Sequence, residues 1–377
     1  MTRDEPQRFQ DLLSEADVEA LVCSGAIRYP AFRLVKEGER LEVEDYTEDI
    51  PWRPTPFTRS ANVGRVVAEF EAGATIVLQG LHLTWPPLAR FCRGLEAILG
   101  HAAQANAYYT PRRSQGLAVH HDTHDVFVLQ SAGEKRWRVY EPALELPLKD
   151  QRYSRELGEA GAPVEDFTLR AGDTLYLPRG WLHEALTSET DSLHVTVGVN
   201  AYTWLDAFGD AVRACADDVE FRRAVPPDPG RADVLVERLA ARLRADDVSR
   251  RMRERLVRTR RPILDAQLSQ LRALDALAGG TLVERRATVI FDLSDDDGRL
   301  SLAFEGKRVV FPAHAREPVE YAARSSEPFR PADLPGALDE EGVLVLVRRL
   351  VREGFLRLTG VPEPDGRSPS RRGVAGE

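Results

Sequence analysis

Apolar and polar residues alternate in short runs between residues 104 and 202, and this period of two is typical of β-strands. Residues that favour turns, such as Gly133, Gly172 and Gly180, separate the runs. The runs that we predict to be strands are Asn106–Tyr109, Asp125–Gln130, Arg136–Tyr140, Thr174–Leu177 and Leu193–Val199. Several short strands at regular spacing predict an antiparallel barrel or sandwich in this part of the chain.

A helical period of 3.6 residues dominates on both sides of this β region. Before it, the predicted helices are Phe9–Leu21 with Ser14 and Asp17 at its cap, Val63–Phe70, and Pro86–Leu99 with Gly100 as its stop. Residues 28–56 are rich in charge and proline, so we expect irregular structure there. Two strands are expected, Ala31–Val35 and Ala74–Leu78.

After the β region, residues 205–278 have a helical pattern that a Pro-Pro-Asp-Pro-Gly sequence interrupts at residues 226–230. Its apolar residues predict a linking or oligomerising bundle. Beyond it, Thr288–Leu293 and Leu300–Phe304 flank an Asp-Gly turn and predict a hairpin. Two short helical patterns and a helix at Val343–Arg352 precede a strand at Phe355–Leu358, which together resemble a winged-helix domain.

The composition is that of a globular protein, with 377 residues, 43% of them hydrophobic and 29% charged. This length allows two or three domains. No apolar run is long enough to cross a membrane, and the first residues lack the apolar core of a signal peptide. We therefore expect a cytoplasmic protein with no membrane partner.

Charge and cysteine content exclude several other classes of protein. The net charge of −9 gives no general attraction to nucleic acids, and residues 281–377 hold 17 Asp and Glu against 15 Lys and Arg. We therefore do not expect direct nucleic-acid binding. Cys23, Cys92 and Cys215 lie far apart and form no Cys-x-x-Cys pair, so free thiols are predicted rather than disulfides or a zinc site.

Three of the eight histidines lie within five residues, at His120, His121 and His124, just before an apolar strand. Because side chains alternate along a strand, His120 and Asp122 point to one side and His121 to the other. Iron(II) in mononuclear oxygenases is held by two histidines and one carboxylate on one face. The His-x-Asp pair is therefore predicted to supply two ligands of such a site.

The third ligand must come from a distant segment, and there are two candidates. His183 follows the sharp turn at residues 178–180, where a ligand is held rigidly at the barrel mouth, so we prefer it. His194 shares a face with Thr196 and is expected to line the interior. A histidine beside a strand is usually an ordinary structural residue, and this is our interpretation of His121, His124 and His194.

Lys135 gives the metal hypothesis independent support. Alternation places Lys135, Trp137 and Val139 on one face of a strand, which would bury the lysine. A buried cation needs an anion, and a dicarboxylate bound to the metal at its other end would supply one. The structural alternative is a lysine that reaches solvent or pairs with a nearby acid.

These segments together resemble the JmjC-type ribosomal oxygenases. The segments that carry the resemblance are NAYYTP at 106–111, SQG at 114–116, HHD at 120–122, DVFVLQ at 125–130, GEKRWR at 133–138 and GDTLYLPRGWLH at 172–183. The resemblance covers nearly the whole chain. It implies an all-β core with helices, in which a JmjC double-stranded β-helix of the cupin or jelly-roll type is followed by a helical dimerisation region and a C-terminal winged helix. By this resemblance the JmjC domain spans residues 1–204, the helical dimerisation region 205–279 and the winged-helix domain 280–360. A flexible tail follows at 361–377.

The resemblance also implies roles for individual residues. His120, Asp122 and His183 match the iron ligands, and Lys135 matches the residue that binds the distal carboxylate of 2-oxoglutarate. Three further residues fall at or near other cosubstrate contacts, namely Tyr108, Thr196 and Asn106. The bacterial arginyl hydroxylase of the family has arginine in place of Lys135, whereas the eukaryotic histidyl hydroxylases have lysine, so both target residues stay open.

The function implied is that of a homodimeric dioxygenase that uses Fe(II), 2-oxoglutarate and O2 to hydroxylate an arginyl or histidyl side chain of a ribosomal protein. Two alternatives remain. One is the same chemistry on another protein or a small molecule, as a hydroxylase or demethylase, because fold and metal do not fix the substrate. The other is a non-catalytic cupin-like binding protein, although such a module needs no iron ligands.

Overall fold

The computed structural model describes residues 1–225, 227, 230, 232–245 and 247–361. They pack into two compact units, Met1–Asp206 and Ala207–Glu377. The predicted tail at 361–377 lies outside the described residues except for Val361, as does most of the predicted helix break at 226–230. Among the described residues, every helix is too short or too polar to cross a lipid bilayer.

The first unit consists of a large sheet with helices packed on one face. Its helices are α1 Glu15–Cys23, α2 Val43–Tyr46, α3 Val63–Glu71, α4 Leu81–Thr84 and α5 Pro86–Leu99. Its strands are β1 Phe32–Lys36, β2 Glu39–Arg40, β3 Thr47–Ile50, β4 Phe57–Ala61, β5 Thr75–Leu78, β6 Ala102–Thr110, β7 Asp125–Tyr140, β8 Glu165–Arg170, β9 Thr174–Leu177 and β10 Leu182–Asn200.

The large sheet is antiparallel and has the strand order β2-β1-β5-β6-β10-β7-β8, with β9 also paired to β7. The long strands β7 and β10 run side by side, and their register shifts between Thr187 and Ser192. Gly133 lies opposite this shift with a φ of 63°. A Cβ atom there would lie 1.8 Å from the carbonyl oxygen of Asp191, so only glycine allows the two strands to bend together.

Strand alternation divides the apolar residues between two cores. One face of β1, β5, β6 and β10 packs against the helices through residues such as Phe32, Leu78 and Val195. The second core lies on the opposite, interior face of the sheet and contains Val128 and Trp137. Each fully buried Leu, Val or Phe of these cores stabilises the fold by roughly 1.5–3 kcal/mol. The interior face is the one that carries the predicted site residues.

The second unit contains a three-stranded antiparallel sheet, β12-β13-β14, a two-stranded pair, β11-β15, and several helices. The helices are α6 Trp204–Ala214, which begins at the end of the first unit, α7 Ala232–Ala245, α8 Val248–Thr259, α9 Gln267–Ala273, α10 Arg316–Arg324 and α11 Glu340–Arg352. The strands are β11 Val283–Arg285, β12 Phe291–Asp296, β13 Arg299–Phe304, β14 Lys307–Phe311 and β15 Leu356–Leu358.

The predicted antiparallel β core and its flanking helices are confirmed, and several element bounds are corrected. The segments Asp125–Gln130 and Arg136–Tyr140 form the single strand β7, because the bend at Gly133 keeps the backbone paired. The strand predicted at Leu193–Val199 begins at Leu182. Helix α1 begins at Glu15 rather than Phe9, because Ser14 and Asp17 form a reciprocal capping box.

The charged segment 28–56 was expected to be irregular apart from one strand, and this prediction is wrong in part. It also contains β2 and β3, which pair with β1 and β4, and the helix α2, whose Tyr46 is buried in the core. Strands β8 and β14 were not predicted. In β8 only Leu169 is fully buried, so its sequence lacks a clear alternation.

Candidate metal centre and its pocket

His120, Asp122 and His183 come together beside the second core, on the interior face of the sheet. Each offers one ligand atom, and these atoms all lie within 4.8 Å of one another. The segments that carry the two histidines are joined as an antiparallel bridge, with the His183 amide donating to the His120 carbonyl at 2.9 Å and the His120 amide donating in return at 3.2 Å. The backbone therefore fixes the separation of the two imidazoles before any ion binds.

A hydrogen bond from Nδ1 to a backbone carbonyl orients each of the two imidazole rings. His120 Nδ1 lies 2.8 Å from the Ala118 carbonyl oxygen, and His183 Nδ1 lies 3.0 Å from the Trp181 carbonyl oxygen. A carbonyl can only accept, so each Nδ1 must carry a proton, and in the neutral ring Nε2 then keeps its lone pair. His183 Nε2 lies 3.9 Å from Asp122 Oδ2. This is the arrangement of a two-histidine, one-carboxylate metal site with outer hydrogen bonds.

The electrostatics also favour neutral imidazole at His183. Burial lowers the pKa of His183 below its ordinary value of 6.5, and the neighbouring His120 lowers it further, against the opposing effect of Asp122. A histidine must be deprotonated at its ligating nitrogen to bind a metal. His183 is therefore in a ligating form at neutral pH.

The three residues open onto a cavity that holds about 480 Å³ of space, including its mouth. The other residues that line it are Tyr108, Gly116, Leu117, Val126, Val128, Lys135, Trp137, Leu177, Glu184, Ala185, His194 and Thr196. Apolar side chains thus surround a few polar groups, one of which is a lysine.

Lys135 is 2% exposed and does not reach solvent. Its Nζ donates to Thr110 Oγ1 at 2.9 Å, and Thr75 Oγ1 donates to the same oxygen at 3.1 Å. None of the ion pairs among the described residues includes Lys135, and burial lowers its pKa from 10.5 to about 7. The alternatives of a lysine that reaches solvent or pairs with an acid are not what the structure shows, and the ammonium group is suited to an incoming carboxylate.

Tyr108 and Thr196 lie on the same interior face, on the neighbouring strands β6 and β10. Burial raises the pKa of Tyr108 to about 12, and the neighbouring Thr196 side chain opposes this shift. Asn106 is opposite Thr196 in the register, and its Oδ1 accepts from the Gly80 amide at 2.9 Å. Asn106 therefore holds the segment between β5 and α4, and it is not among the residues that line the cavity.

The remaining histidines of the cluster occupy other places. His121 points away from the cavity, with Nε2 3.1 Å from the Gln151 carbonyl. The ring of His124 covers Gly198, where a Cβ atom would lie 2.9 Å from it. His194 is buried in the pocket wall, stacked on Tyr108 with 5.0 Å between ring centroids. His194 thus lines the interior, as expected.

Sequence reasoning missed Thr110, which accepts from the ammonium group of Lys135, and Thr75, which donates to Thr110. A signal was present for Thr110, because it lies two residues after Tyr108 on the same strand and must share its face. No local pattern could have pointed to Thr75, which reaches this position only through the pairing of β5 with β6.

Comparison with known proteins agrees with this fold. Residues 82–207 match the JmjC domain family, a range that includes His120, Asp122, Lys135 and His183. The predicted resemblance to the JmjC-type ribosomal oxygenases is confirmed. Ribosomal oxygenase 1 of Gallus gallus is 32% identical over 236 residues, which are 60% of this chain and 38% of the relative. Ribosomal oxygenase 2 of Bos taurus is 38% identical over 148 residues, 37% of this chain and 31% of the relative.

The bifunctional lysine-specific demethylase and histidyl-hydroxylase NO66 of Drosophila persimilis is 32% identical over half of this chain and 26% of its own length. The chain thus spans about a third of the length of these curated relatives. The structure of the Escherichia coli ribosomal oxygenase YcfD covers 92% of this chain and 91% of its own, with a TM-score of 0.53 and 18% identity. YcfD with cobalt and 2-oxoglutarate gives a TM-score of 0.52. These structures share the fold of this chain.

Proposed function

We propose that this protein is an Fe(II)- and 2-oxoglutarate-dependent dioxygenase that hydroxylates an arginyl or histidyl side chain of a ribosomal protein. The observation that carries the proposal is the pairing of a His-Asp-His cluster with the buried, unpaired Lys135 in one cavity. Two histidines and one carboxylate leave open positions for a chelating cosubstrate and O2. YcfD in complex with cobalt and 2-oxoglutarate shows that a protein of this fold binds both.

The chain's own residues have separate tasks in this proposal. His120, Asp122 and His183 would hold the iron, with their orientation set by the Ala118 and Trp181 carbonyls. Lys135, supported by Thr110, would bind the distal carboxylate of 2-oxoglutarate. When bound, iron and 2-oxoglutarate supply the oxidation in which O2 gives succinate, carbon dioxide and one oxygen atom for the substrate.

Tyr108, Thr196 and Asn106 are proposed as further contacts of 2-oxoglutarate, with the Asn106 contact made through its amide nitrogen because Oδ1 is bonded to Gly80. Apolar residues such as Val128 and Trp137 exclude water from the cavity floor. No side-chain acid or base is needed for this reaction, which agrees with the neutral His183 and the high pKa of Tyr108.

We expect ribosomal proteins to show the activity directly. In cells that contain this protein, one ribosomal protein should be heavier by the mass of one oxygen atom than in cells that lack it, as measured by intact-mass spectrometry. A His120→Ala strain serves as the control and should match the deletion. If no ribosomal protein changes in mass although the purified protein converts 2-oxoglutarate, the substrate is another protein or a small molecule.

The proposal extends to the domain organisation. We propose a JmjC catalytic domain at 1–204, a helical dimerisation region at 205–279 and a winged-helix-like domain at 280–360, acting in the cytoplasm without direct nucleic-acid binding. The sheet β12-β13-β14 with α10, α11 and β15 supports the winged-helix interpretation. Exposed apolar side chains support a dimer interface in the helical region. Leu205 and Val212 of α6 are 63% and 51% exposed, and Val234 of α7 is 63% exposed.

We therefore expect the protein to be a homodimer in solution. Sedimentation equilibrium at micromolar concentration should give twice the mass of the chain. Val212→Asp places a charge on the exposed face of α6 and should shift the equilibrium toward monomer, whereas Arg213→Gln on the same helix should not. A wild-type protein that sediments as a monomer contradicts the dimer proposal.

A further inference from the structure

The segment that carries His120 runs antiparallel beside β10 and departs from it in one bulge. Isolated bridges pair Gln115 with Leu186 and His120 with His183, so the four residues 116–119 lie opposite only two residues of β10. We call residues 116–119 the wall bulge. Extra residues of this kind bend a chain and re-aim its side chains, and they are common beside active sites. The bridge that follows the wall bulge is the one that joins the two histidines of the metal centre.

The wall bulge forms one side of the cavity. Its residues Gly116 and Leu117 line the same space as the three metal-binding candidates. A Cβ atom on Gly116 would lie 3.4 Å from Lys135 Nζ, so the backbone of the bulge comes within contact distance of the ammonium group. His120 directly follows the bulge in the chain. The position of the wall bulge therefore affects both the metal centre and the space beside Lys135.

The wall bulge is held between β10 and the turn that joins β1 to β2. On the side of the turn, the Gly38 amide donates to the Gly116 carbonyl at 3.1 Å, and a Cβ atom at Gly38 would lie 2.9 Å from Ala118 Cβ. On the side of β10, the Gly116 amide donates to the Ala185 carbonyl at 3.4 Å, which is long for such a bond. A side-chain bond to β10 therefore has a larger share in fixing the bulge.

Glu184 and Gln115 supply that side-chain bond. Gln115 Nε2 donates to Glu184 Oε2 at 3.3 Å. The other carboxylate oxygen, Oε1, accepts from the Tyr140 hydroxyl at 2.7 Å and from Arg138 Nη1 at 3.3 Å. The Glu184 side chain is 12% exposed, and bonds at both oxygens fix it on the strand pair β7 and β10. Glu184 directly follows His183, so the start of the wall bulge is tied to the position next to a candidate ligand.

We infer that Glu184 and Gln115 are positioning residues for the metal and for 2-oxoglutarate. Their hydrogen bond holds the wall bulge against β10, and the bulge in turn places His120 opposite His183 and keeps the space beside Lys135 open. Neither residue contacts the metal or the cosubstrate. This inference rests on the proposed function and gives a task to a hydrogen-bond network outside the candidate ligands. Outer hydrogen bonds commonly orient metal ligands in this way.

The test compares full-length wild type with Gln115→Ala, Glu184→Ala, Glu184→Gln, the double variant Gln115→Ala/Glu184→Ala and the control Ser188→Ala. Ser188 Oγ donates to Glu134 Oε1 at 2.7 Å across the same two strands, so the control removes a similar bond away from the wall bulge. Three quantities are measured for each protein. They are the Kd for cobalt(II), the KM for 2-oxoglutarate from succinate formation, and the free energy of unfolding in urea without metal.

Gln115→Ala should raise the Kd for cobalt(II) and the KM for 2-oxoglutarate by about tenfold each, the effect of one hydrogen bond to a charged group. Its kcat with saturating Fe(II) and 2-oxoglutarate should change by less than about twofold, because the residue takes no part in the reaction. Ser188→Ala should keep both constants. Glu184→Gln retains hydrogen-bonding groups for Gln115 and should recover most of the loss that Glu184→Ala causes.

The double variant shows whether the two residues act together. In the Glu184→Ala background, Gln115→Ala should change the Kd and the KM by less than about twofold, because the bond is already lost. Fully additive effects overturn the inference.

The free energy of unfolding separates positioning from simple support of the fold. A Gln115→Ala protein that unfolds more easily but binds cobalt(II) and 2-oxoglutarate as wild type does overturns the inference. Gln115 is only partly buried, so this comparison holds even if Glu184→Ala does not fold. Wild type that neither binds cobalt(II) nor forms succinate contradicts the proposed function itself.

Discussion

His183→Ala is expected to reduce the rate of 2-oxoglutarate turnover by about 100-fold or more. Even residues that only hydrogen-bond to metal ligands change metal affinity or activity by about 10- to 100-fold when they are replaced. The substitution removes one of three ligand atoms that lie within 4.8 Å of one another. Two remaining ligands from one segment cannot hold the ion against solvent. The protein should then bind less than one equivalent of cobalt(II) or iron(II) after dialysis, as measured by elemental analysis.

Two matched variants identify the second histidine ligand. His121→Gln changes the neighbour that points away from the cavity and keeps a donor for the Gln151 carbonyl, so metal content should not change. His194→Gln changes the histidine that was the alternative ligand, and it too should retain the metal. Loss of metal in His194→Gln together with full metal in His183→Ala would show that the assignment of the two histidines is reversed.

Lys135→Met is expected to raise the KM for 2-oxoglutarate about 10- to 100-fold and, at the same time, to stabilise the protein without 2-oxoglutarate. The first effect follows from losing the cation that binds the distal carboxylate. The second follows because burying the Lys135 ammonium group without a carboxylate partner destabilises the fold, and a methionine of similar length fills the same space without a charge. Urea unfolding should show a free energy of unfolding higher by roughly 1–3 kcal/mol.

The pH dependence of stability checks the same residue. The pKa of Lys135 is about 7 in the fold and 10.5 ordinarily, so between these pH values the unfolded chain binds a proton that the folded chain does not. The wild-type free energy of unfolding should therefore rise with pH in this window, and that of Lys135→Met should rise less. Lys149→Met, on the surface of the same unit, is the control and should behave as wild type. A less stable Lys135→Met protein with unchanged KM would show that Lys135 is only structural.

The parts of the site that could be predicted from the sequence depend on local geometry. Alternation along a strand placed His120 with Asp122 and separated His121 from them, and it placed Lys135 on an apolar face. The sharp turn before His183 was visible as a Pro-Arg-Gly sequence. Metal ligation by these residues stays a prediction, which the geometry of the three side chains supports.

The parts that could not be predicted depend on pairing between distant strands. Thr75 reaches the interior face of the sheet only because β5 pairs with β6, and Arg33 only because β1 pairs with β5. No pattern within residues 28–56 predicts that register. The two predicted strands at 125–130 and 136–140 form one continuous strand, β7, because Gly133 between them packs closely against the Asp191 carbonyl of β10. Such contacts are properties of the assembled sheet rather than of any short segment.

The most direct test of the whole account is the conversion of 2-oxoglutarate to succinate by the purified protein. With added Fe(II) and O2, wild type should form succinate, and the rate should increase when ribosomal proteins from cells lacking this protein are supplied. His120→Ala should form none above the level without protein. If the wild-type protein, loaded with Fe(II), forms no more succinate than His120→Ala, the protein is not a 2-oxoglutarate-dependent oxygenase.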